Sequence, residues 1–99
     1  MIIAPHGAGL ANIMVAPLHT PVLEIAPISC PPCFLRLALK LHHIYARHPG
    51  SHWSQKCMSW YEPPVDEIVE LARDLLEAKR LAEDALTPPK VAEAHQGYP

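Results

Sequence analysis

The sequence predicts an α/β fold in which short parallel strands alternate with helices. Two wholly or largely apolar segments, residues 1–4 and 22–25, flank a turn that contains glycine, and two segments with helical spacing follow them. Short apolar runs are typical of strands buried on both faces, as in parallel sheets. A chain of 99 residues with 49% hydrophobic residues, 18% charged residues and a formal net charge of −2 suits one small globular domain, or part of one. This composition argues against a disordered chain and against a nucleic-acid-binding protein.

The turn after the first apolar segment carries most of the functional information. Residues 5–12 have the sequence Pro-His-Gly-Ala-Gly-Leu-Ala-Asn. Gly7 and Gly9 permit left-handed backbone angles, and the helix that we expect from about residue 9 to 16 directs its unpaired N–H groups at the turn. These groups favour an anion, so the segment predicts a phosphate or diphosphate site with His6 as a further donor. The plainer interpretation is a strand-to-helix connection that needs two glycines.

The segments after the turn alternate between helix and strand patterns. The first helix would bury Leu10, Ile13 and Met14, and it would end before the proline-rich residues 17–21. The next strand is predicted at residues 22–25.

An amphipathic helix of about three turns is predicted after the proline-rich loop at residues 26–32. One face carries apolar residues at helical spacing, namely Phe34, Leu37, Ala38 and Leu41. The opposite face carries the basic residues Arg36, Lys40 and His43. A third strand is predicted at residues 44–47 and a fourth at residues 57–61.

The C-terminal third contains the clearest helical pattern. We expect a helix from residue 64 to about residue 84, with Asp66 and Glu67 complementing its N-terminus. Its apolar stripe consists of Val65, Ile68, Val69, Ala72, Leu75 and Leu76. Packing on the chain's own sheet explains this stripe, and docking on a partner helix would use the same spacing. Residues 85–99 are predicted to form a flexible tail.

Charge and cysteine placement leave two questions open. No acidic residue occurs between Glu24 and Glu62, so this window forms either a solvated basic face or a surface that attracts an anionic ligand. Three cysteines leave at least one unpaired within the chain. Cys30 and Cys33 have C-x-x-C spacing, and Cys57 and several histidines follow, but the spacing matches no familiar zinc finger. We therefore expect no metal.

The glycine turn and the strand after it resemble the C-terminal signature of glycosyltransferase family 61. That signature runs His-Gly-Ala-Gly-Leu-Thr/Ala-Asn, then a proline-glycine turn, then an apolar strand that ends in Glu. Residues 6–12, Pro17 and residues 22–25 match it, and the order of the downstream elements is similar over roughly residues 1–80. The sequence departs from it at Leu18 and His19, where the turn glycine is usual, and at Ala11, where threonine is commoner.

The resemblance implies an inverting transferase of the two-domain GT-B architecture. Such an enzyme moves a sugar such as N-acetylglucosamine or xylose from a UDP-sugar donor to a glycan or glycoprotein acceptor. It implies no metal and no cofactor besides the donor, and no catalytic residue can be assigned, because the base ordinarily faces the donor from the other domain. The resemblance can be carried over position by position. It implies that the diphosphate of the nucleotide sugar is lined by His6, Gly7, Ala8 and Gly9. It also implies that Asn12 lies nearby on the helix and that Glu24 lies close to the pocket wall.

On this interpretation, residues 1–84 are the C-terminal part of a nucleotide-sugar-binding domain, with a partial Rossmann-like parallel sheet and flanking helices. An N-terminal domain is expected elsewhere in the parent protein, and we expect this chain alone to have no transferase activity. The resemblance implies the Golgi or endoplasmic reticulum lumen for a eukaryotic protein and the cytoplasm for a bacterial one.

Two other functions compete with the transferase. Lipases and esterases use a similar His-Gly-Gly-Gly turn as an oxyanion hole, but they need a Gly-x-Ser-x-Gly elbow, which the sequence lacks. The remaining alternative is a non-catalytic half-domain that binds a nucleotide or a partner protein, or that associates through an open sheet edge.

Overall fold

A three-stranded parallel sheet organises the chain in a computed structural model that describes residues 1–49, 56–57 and 63–86. The elements are, in chain order, β1 (Ile2–Pro5), a 3-10 helix (Ala8–Met14), β2 (Pro21–Ile25), α1 (Cys33–Lys40), β3 (Ile44–His48) and α2 (Val65–Leu86). The predicted α/β class with a parallel sheet is confirmed. The strand order β1-β2-β3 follows the chain order, which is the arrangement found in one half of a doubly wound sheet.

The two faces of the sheet are covered by different helices. The register aligns Ile2 with Val22 and Val22 with Tyr45, so these residues share one face. That face packs against the 3-10 helix and α1 around the fully buried Leu10, Ile13, Val22 and Ala38. Leu23 points to the other face and is also fully buried, and α2 packs on β2 and β3. Ile3 also points to this second face, but it lies on the edge strand β1 and remains 46% exposed.

The helix after the glycine turn is a 3-10 helix rather than the expected α-helix, and it spans residues 8–14 rather than 9–16. A 3-10 helix turns by about 120° per residue, so residues three apart lie on the same face. Leu10 and Ile13 are therefore buried together, as predicted. The prediction for Met14 is wrong, because this side chain follows Ile13 by one residue, turns away from the core and is 63% exposed.

The position of His43 corrects the predicted basic face of α1. Arg36 and Lys40 are exposed as expected, but His43 is buried. His42 adopts a left-handed conformation with φ of 58°, and the His43 amide then donates to the carbonyl of Ala38 at 2.9 Å. This is the hydrogen-bond pattern of a Schellman C-cap, which turns the chain back over the helix end. The His43 side chain consequently enters the core and binds the Ile13 carbonyl through Nε2 at 2.6 Å.

The C-terminal helix is longer and its buried stripe narrower than predicted. The helix ends at Leu86, so residues 85 and 86 are helical rather than part of a tail, and residues 87–99 lie outside the described part of the chain. Only Leu75 is buried among the described residues of α2, whereas Val65, Val69 and Leu76 are exposed. The helix contacts β2 and β3 of the sheet.

A disulfide joins Cys30 to Cys57 across 27 positions of sequence. It connects the loop between β2 and α1 to the segment that precedes α2, and Cys33 is free and exposed. The predicted fourth strand at residues 57–61 falls almost wholly outside the described residues, with Cys57 itself in a turn. Across the described residues, none of the helices combines the length and the apolarity that a membrane span requires.

Removing the disulfide should lower the free energy of unfolding by about 3 kcal/mol, because the closed loop restricts the unfolded chain. Cys57→Ser removes the bond, and Cys33→Ser is the matched control because Cys33 is not bonded. Urea denaturation of both variants beside the unsubstituted chain gives the comparison. Equal stabilities for the two variants would contradict the pairing.

Candidate functional site

The candidate site lies at the carboxyl edge of the sheet, where β1 leads into the glycine turn. The His6 amide donates to the Ile25 carbonyl at 3.2 Å, so the sheet pairing extends to the first residue of the turn. In open parallel sheets, ligands bind outside the carboxyl ends of the strands. The turn therefore occupies the position at which this class of fold ordinarily holds a ligand.

The two glycines of the turn have different roles. Gly7 has φ of 142° and ψ of −166°, a conformation that is essentially restricted to glycine. Gly9 does not adopt a positive φ, so the expectation of left-handed angles holds for Gly7 alone. A Cβ added at Gly9 would meet no atom of the chain within 4 Å. The backbone requires Gly7, whereas Gly9 leaves open space beside the turn.

Backbone amides of the turn are available to a ligand. The Leu10 amide donates to the Gly7 carbonyl at 3.0 Å, which closes the first turn of the 3-10 helix. Within the described part of the chain, the amides of Gly7 and Gly9 have no acceptor. Free backbone amides in a turn of this kind can form a concave site for an anion.

The ring of His6 is fixed on two sides. Its Nδ1 is hydrogen-bonded to the Glu24 carboxylate, and the ring packs against the Phe34 ring in a T-shaped arrangement with the centroids 5.1 Å apart. A carboxylate accepts hydrogen bonds, so Nδ1 carries the proton and Nε2 is the ring nitrogen left for another partner.

Glu24 is fully buried beneath the turn, where three side chains bind it. His6 and the Tyr45 hydroxyl each donate to it, and Arg47 donates through Nε at 3.2 Å and Nη2 at 3.1 Å. The register between β2 and β3 brings these side chains together, because Arg47 pairs with Glu24 and Tyr45 lies two residues earlier on the same face of the sheet. A buried carboxylate is tolerated when it is paired in this way.

Tyr45 and Arg47 modify each other's ionisation around Glu24. Burial raises the pKa of the Tyr45 hydroxyl to about 12, and the hydrogen bond to Glu24 acts in the same direction. Burial opposes the charge of Arg47, but the hydrogen bond with Tyr45 and the charge of Glu24 outweigh it, so the pKa of the guanidinium is raised. Arg47 also donates to the carbonyls of Cys30 and Pro31, each at 3.1 Å.

The remaining predicted residues lie beside this centre. Asn12 is exposed one turn along the 3-10 helix, and its side-chain amide donates to the Gly9 carbonyl at 3.0 Å. Ala8 is the first residue of that helix. Glu24, which the resemblance places close to the pocket wall, is fully buried under the turn and binds His6.

Sequence reasoning missed Tyr45 and Arg47. Both were placed on the predicted third strand, and two polar residues spaced two apart on a buried strand are a signal that they share a face. The spacing does not identify the residue that they bind, because their contact with Glu24 depends on the register between β2 and β3.

His6 also lies beside the disulfide. A ring nitrogen of His6 and the sulfur atoms of Cys30 and Cys57 are all within 4.8 Å of one another. These three residues could hold a metal ion if the sulfurs were not bonded to each other.

Comparison with protein-family models, with curated proteins and with solved structures finds no match for this chain.

Glu24→Gln should lower the free energy of unfolding by about 3 kcal/mol, because it leaves the charge of Arg47 without its buried partner. Glu67→Gln is the matched control. Glu67 also binds a histidine, His48, at 2.8 Å, but it is 61% exposed, so its loss should cost less than about 1 kcal/mol. Urea denaturation measures both. Similar losses for the two variants would show that the Glu24 cluster contributes no more than a surface pair.

The pKa of Tyr45 should lie well above the ordinary value of 10.0 for a tyrosine. Since its pKa in the folded chain is raised from 10.0 to about 12, folding favours the neutral hydroxyl. This contribution to stability is complete below pH 10.0 and is lost as the pH rises to about 12. The tyrosinate absorbance is measured as a function of pH in the unsubstituted chain and in Tyr45→Phe, and the difference isolates the titration of Tyr45. Circular dichroism recorded at each pH shows whether the chain is folded. A midpoint near 10.0 in the folded chain would contradict the prediction.

Proposed function

We propose that the glycine turn binds the diphosphate of a nucleotide sugar, and that the chain is the donor-binding part of an inverting glycosyltransferase similar to family 61. The donor would be a UDP-sugar that carries a sugar such as N-acetylglucosamine or xylose, and the acceptor a glycan or glycoprotein. The observation that carries the proposal is the position of His6, which Glu24 holds beside the amides of Gly7 and Gly9 at the carboxyl edge of the sheet.

The chemistry of the turn suits a diphosphate. The amides of Gly7 and Gly9 supply donors to phosphate oxygens, and the open space beside Gly9 admits a ligand close to the backbone. When its ring is protonated, His6 donates from Nε2 as well, while Nδ1 remains bound to Glu24. All these donors are positioned by the fold before the ligand arrives.

The same donors would act during sugar transfer. When the bond between the sugar and the diphosphate breaks, negative charge develops on the leaving phosphate oxygen. Preorganised donors stabilise such charge more strongly in the transition state than in the bound substrate. In this proposal, His6 and the turn amides assist departure of the nucleoside diphosphate, and the base that activates the acceptor comes from another domain.

The sheet leaves room for the rest of a donor-binding domain. Within the described residues, β1 has no strand on its outer side, and Ile3 on this edge is half exposed. Further strands of a Rossmann-like sheet would lie along β1, in the GT-B arrangement. The same open edge favours the alternative of a non-catalytic module that binds a nucleotide or a partner protein.

Calorimetric titration of the folded chain with UDP tests the diphosphate site. Gly9→Ala is the sharpest variant, because the added methyl group meets nothing in the chain and Ala is favoured over Gly within a helix. We expect Gly9→Ala to keep or raise the thermal stability and to weaken UDP binding about tenfold, as expected when one good hydrogen bond is lost.

His6→Ala should weaken UDP binding by a similar factor. His42→Asn is the control, because His42 is exposed, lies outside the turn and has a φ of 58° that Asn accepts. Absence of heat at millimolar UDP in a folded chain would overturn the proposal. Equal affinities of Gly9→Ala and the unsubstituted chain for UDP would show that UDP binds elsewhere than at the turn.

A further inference from the structure

We propose that reduction of the disulfide between Cys30 and Cys57 creates a binding site for a thiophilic divalent metal ion such as zinc, with His6 as the third ligand. This inference does not depend on the nucleotide-sugar proposal. It also differs from the C-x-x-C arrangement considered in the sequence, because Cys33 is not one of the three ligands.

The three ligand atoms are already close together. A ring nitrogen of His6 and the two sulfur atoms lie within 4.8 Å of one another. In a tetrahedral zinc site, bond lengths of about 2.0 Å to nitrogen and 2.3 Å to sulfur place neighbouring ligand atoms roughly 3.5–4 Å apart. Small side-chain movements after cleavage of the S–S bond would therefore produce the required geometry.

Contacts independent of the disulfide hold two of the ligands. Glu24 binds Nδ1 of His6, which directs Nε2 to the metal, and a carboxylate behind a ligating histidine is the usual support in zinc sites. Arg47 binds the Cys30 carbonyl at 3.1 Å, so the loop that carries this thiol stays attached to β3 when the disulfide opens. The disulfide joins Cys57 to these two ligands.

The charge balance also favours a divalent ion. Cys30 is buried and Cys57 is partly buried, and two adjacent thiolates there are unfavourable without a compensating charge. A divalent ion neutralises both thiolates, while the neutral imidazole completes three of the four tetrahedral positions. The fourth position remains for water or another small ligand, as in zinc sites with an open coordination position.

A water-soluble phosphine reduces the disulfide. With one water molecule it converts the disulfide to two thiols, and the phosphine leaves as its oxide. The metal ion then displaces the two thiol protons, which pass to the solvent. Hydrogen peroxide converts the two thiolates back to the disulfide: it accepts their two electrons and, with two protons, becomes two water molecules. The ion then loses two of its three ligands and is released.

Cobalt(II) is the probe, because thiolate coordination gives it a charge-transfer absorption and tetrahedral coordination gives it intense visible bands. The full chain, reduced with the phosphine under anaerobic conditions, should bind one ion, and zinc should displace the cobalt. The oxidised chain should bind at least about a hundredfold more weakly, as should the reduced chain with His6→Ala. Reduced Cys33→Ser is the matched control and should bind like the unsubstituted chain.

Circular dichroism in the same samples reports the fold. A reduced chain that unfolds but recovers its fold and the thiolate band with cobalt supports the site, because binding then drives folding. A reduced chain that shows no thiolate band at saturating cobalt overturns it, whether folded or not. Loss of binding in Cys33→Ser with retention in His6→Ala also overturns it, since the C-x-x-C pair would then hold the ion.

Discussion

The buried carboxylate of Glu24 is the constraint on which the rest of the site depends. It is fully buried on the central strand, where Arg47, Tyr45 and His6 donate to it. Two of these donors lie on the neighbouring strand β3, and the third follows directly after β1. One carboxylate therefore fixes the carboxyl ends of all three strands relative to one another and determines where the imidazole of His6 points.

Arg47 extends this constraint to the loop between β2 and α1. Besides binding Glu24, it donates to the carbonyls of Cys30 and Pro31, so the loop is attached to β3 from inside the fold. The disulfide attaches the same loop to the segment before α2 from the other side. Arg47 and the disulfide therefore both hold the loop, and of these two links the disulfide is the one that depends on redox conditions. This arrangement is what allows the disulfide to open without releasing the loop from the sheet.

The sequence is sufficient to predict the strands, the glycine turn and the long C-terminal helix, because each has a strong local pattern. The sequence is insufficient where a residue adopts a backbone conformation that a different residue type usually adopts. His42 occupies the left-handed C-cap position where glycine is common, so the burial of His43 has no sequence signal. Met14 is exposed because a 3-10 helix replaces an α-helix. The roles of Tyr45 and Arg47 require the register between β2 and β3, which no local pattern specifies.

One ring nitrogen connects the two proposals. Nδ1 of His6 is bound to Glu24, so a phosphate oxygen and a metal ion would both have to use Nε2. They also need different forms of the ring, because a phosphate accepts from Nε2–H whereas a metal binds the unprotonated nitrogen. Under the two proposals, the intact disulfide would exclude the metal by consuming both thiolates and would leave Nε2 to the anion. The oxidised chain would then be a form in which the turn can bind a diphosphate, and the bond from Glu24 would orient the imidazole of His6 for either ligand.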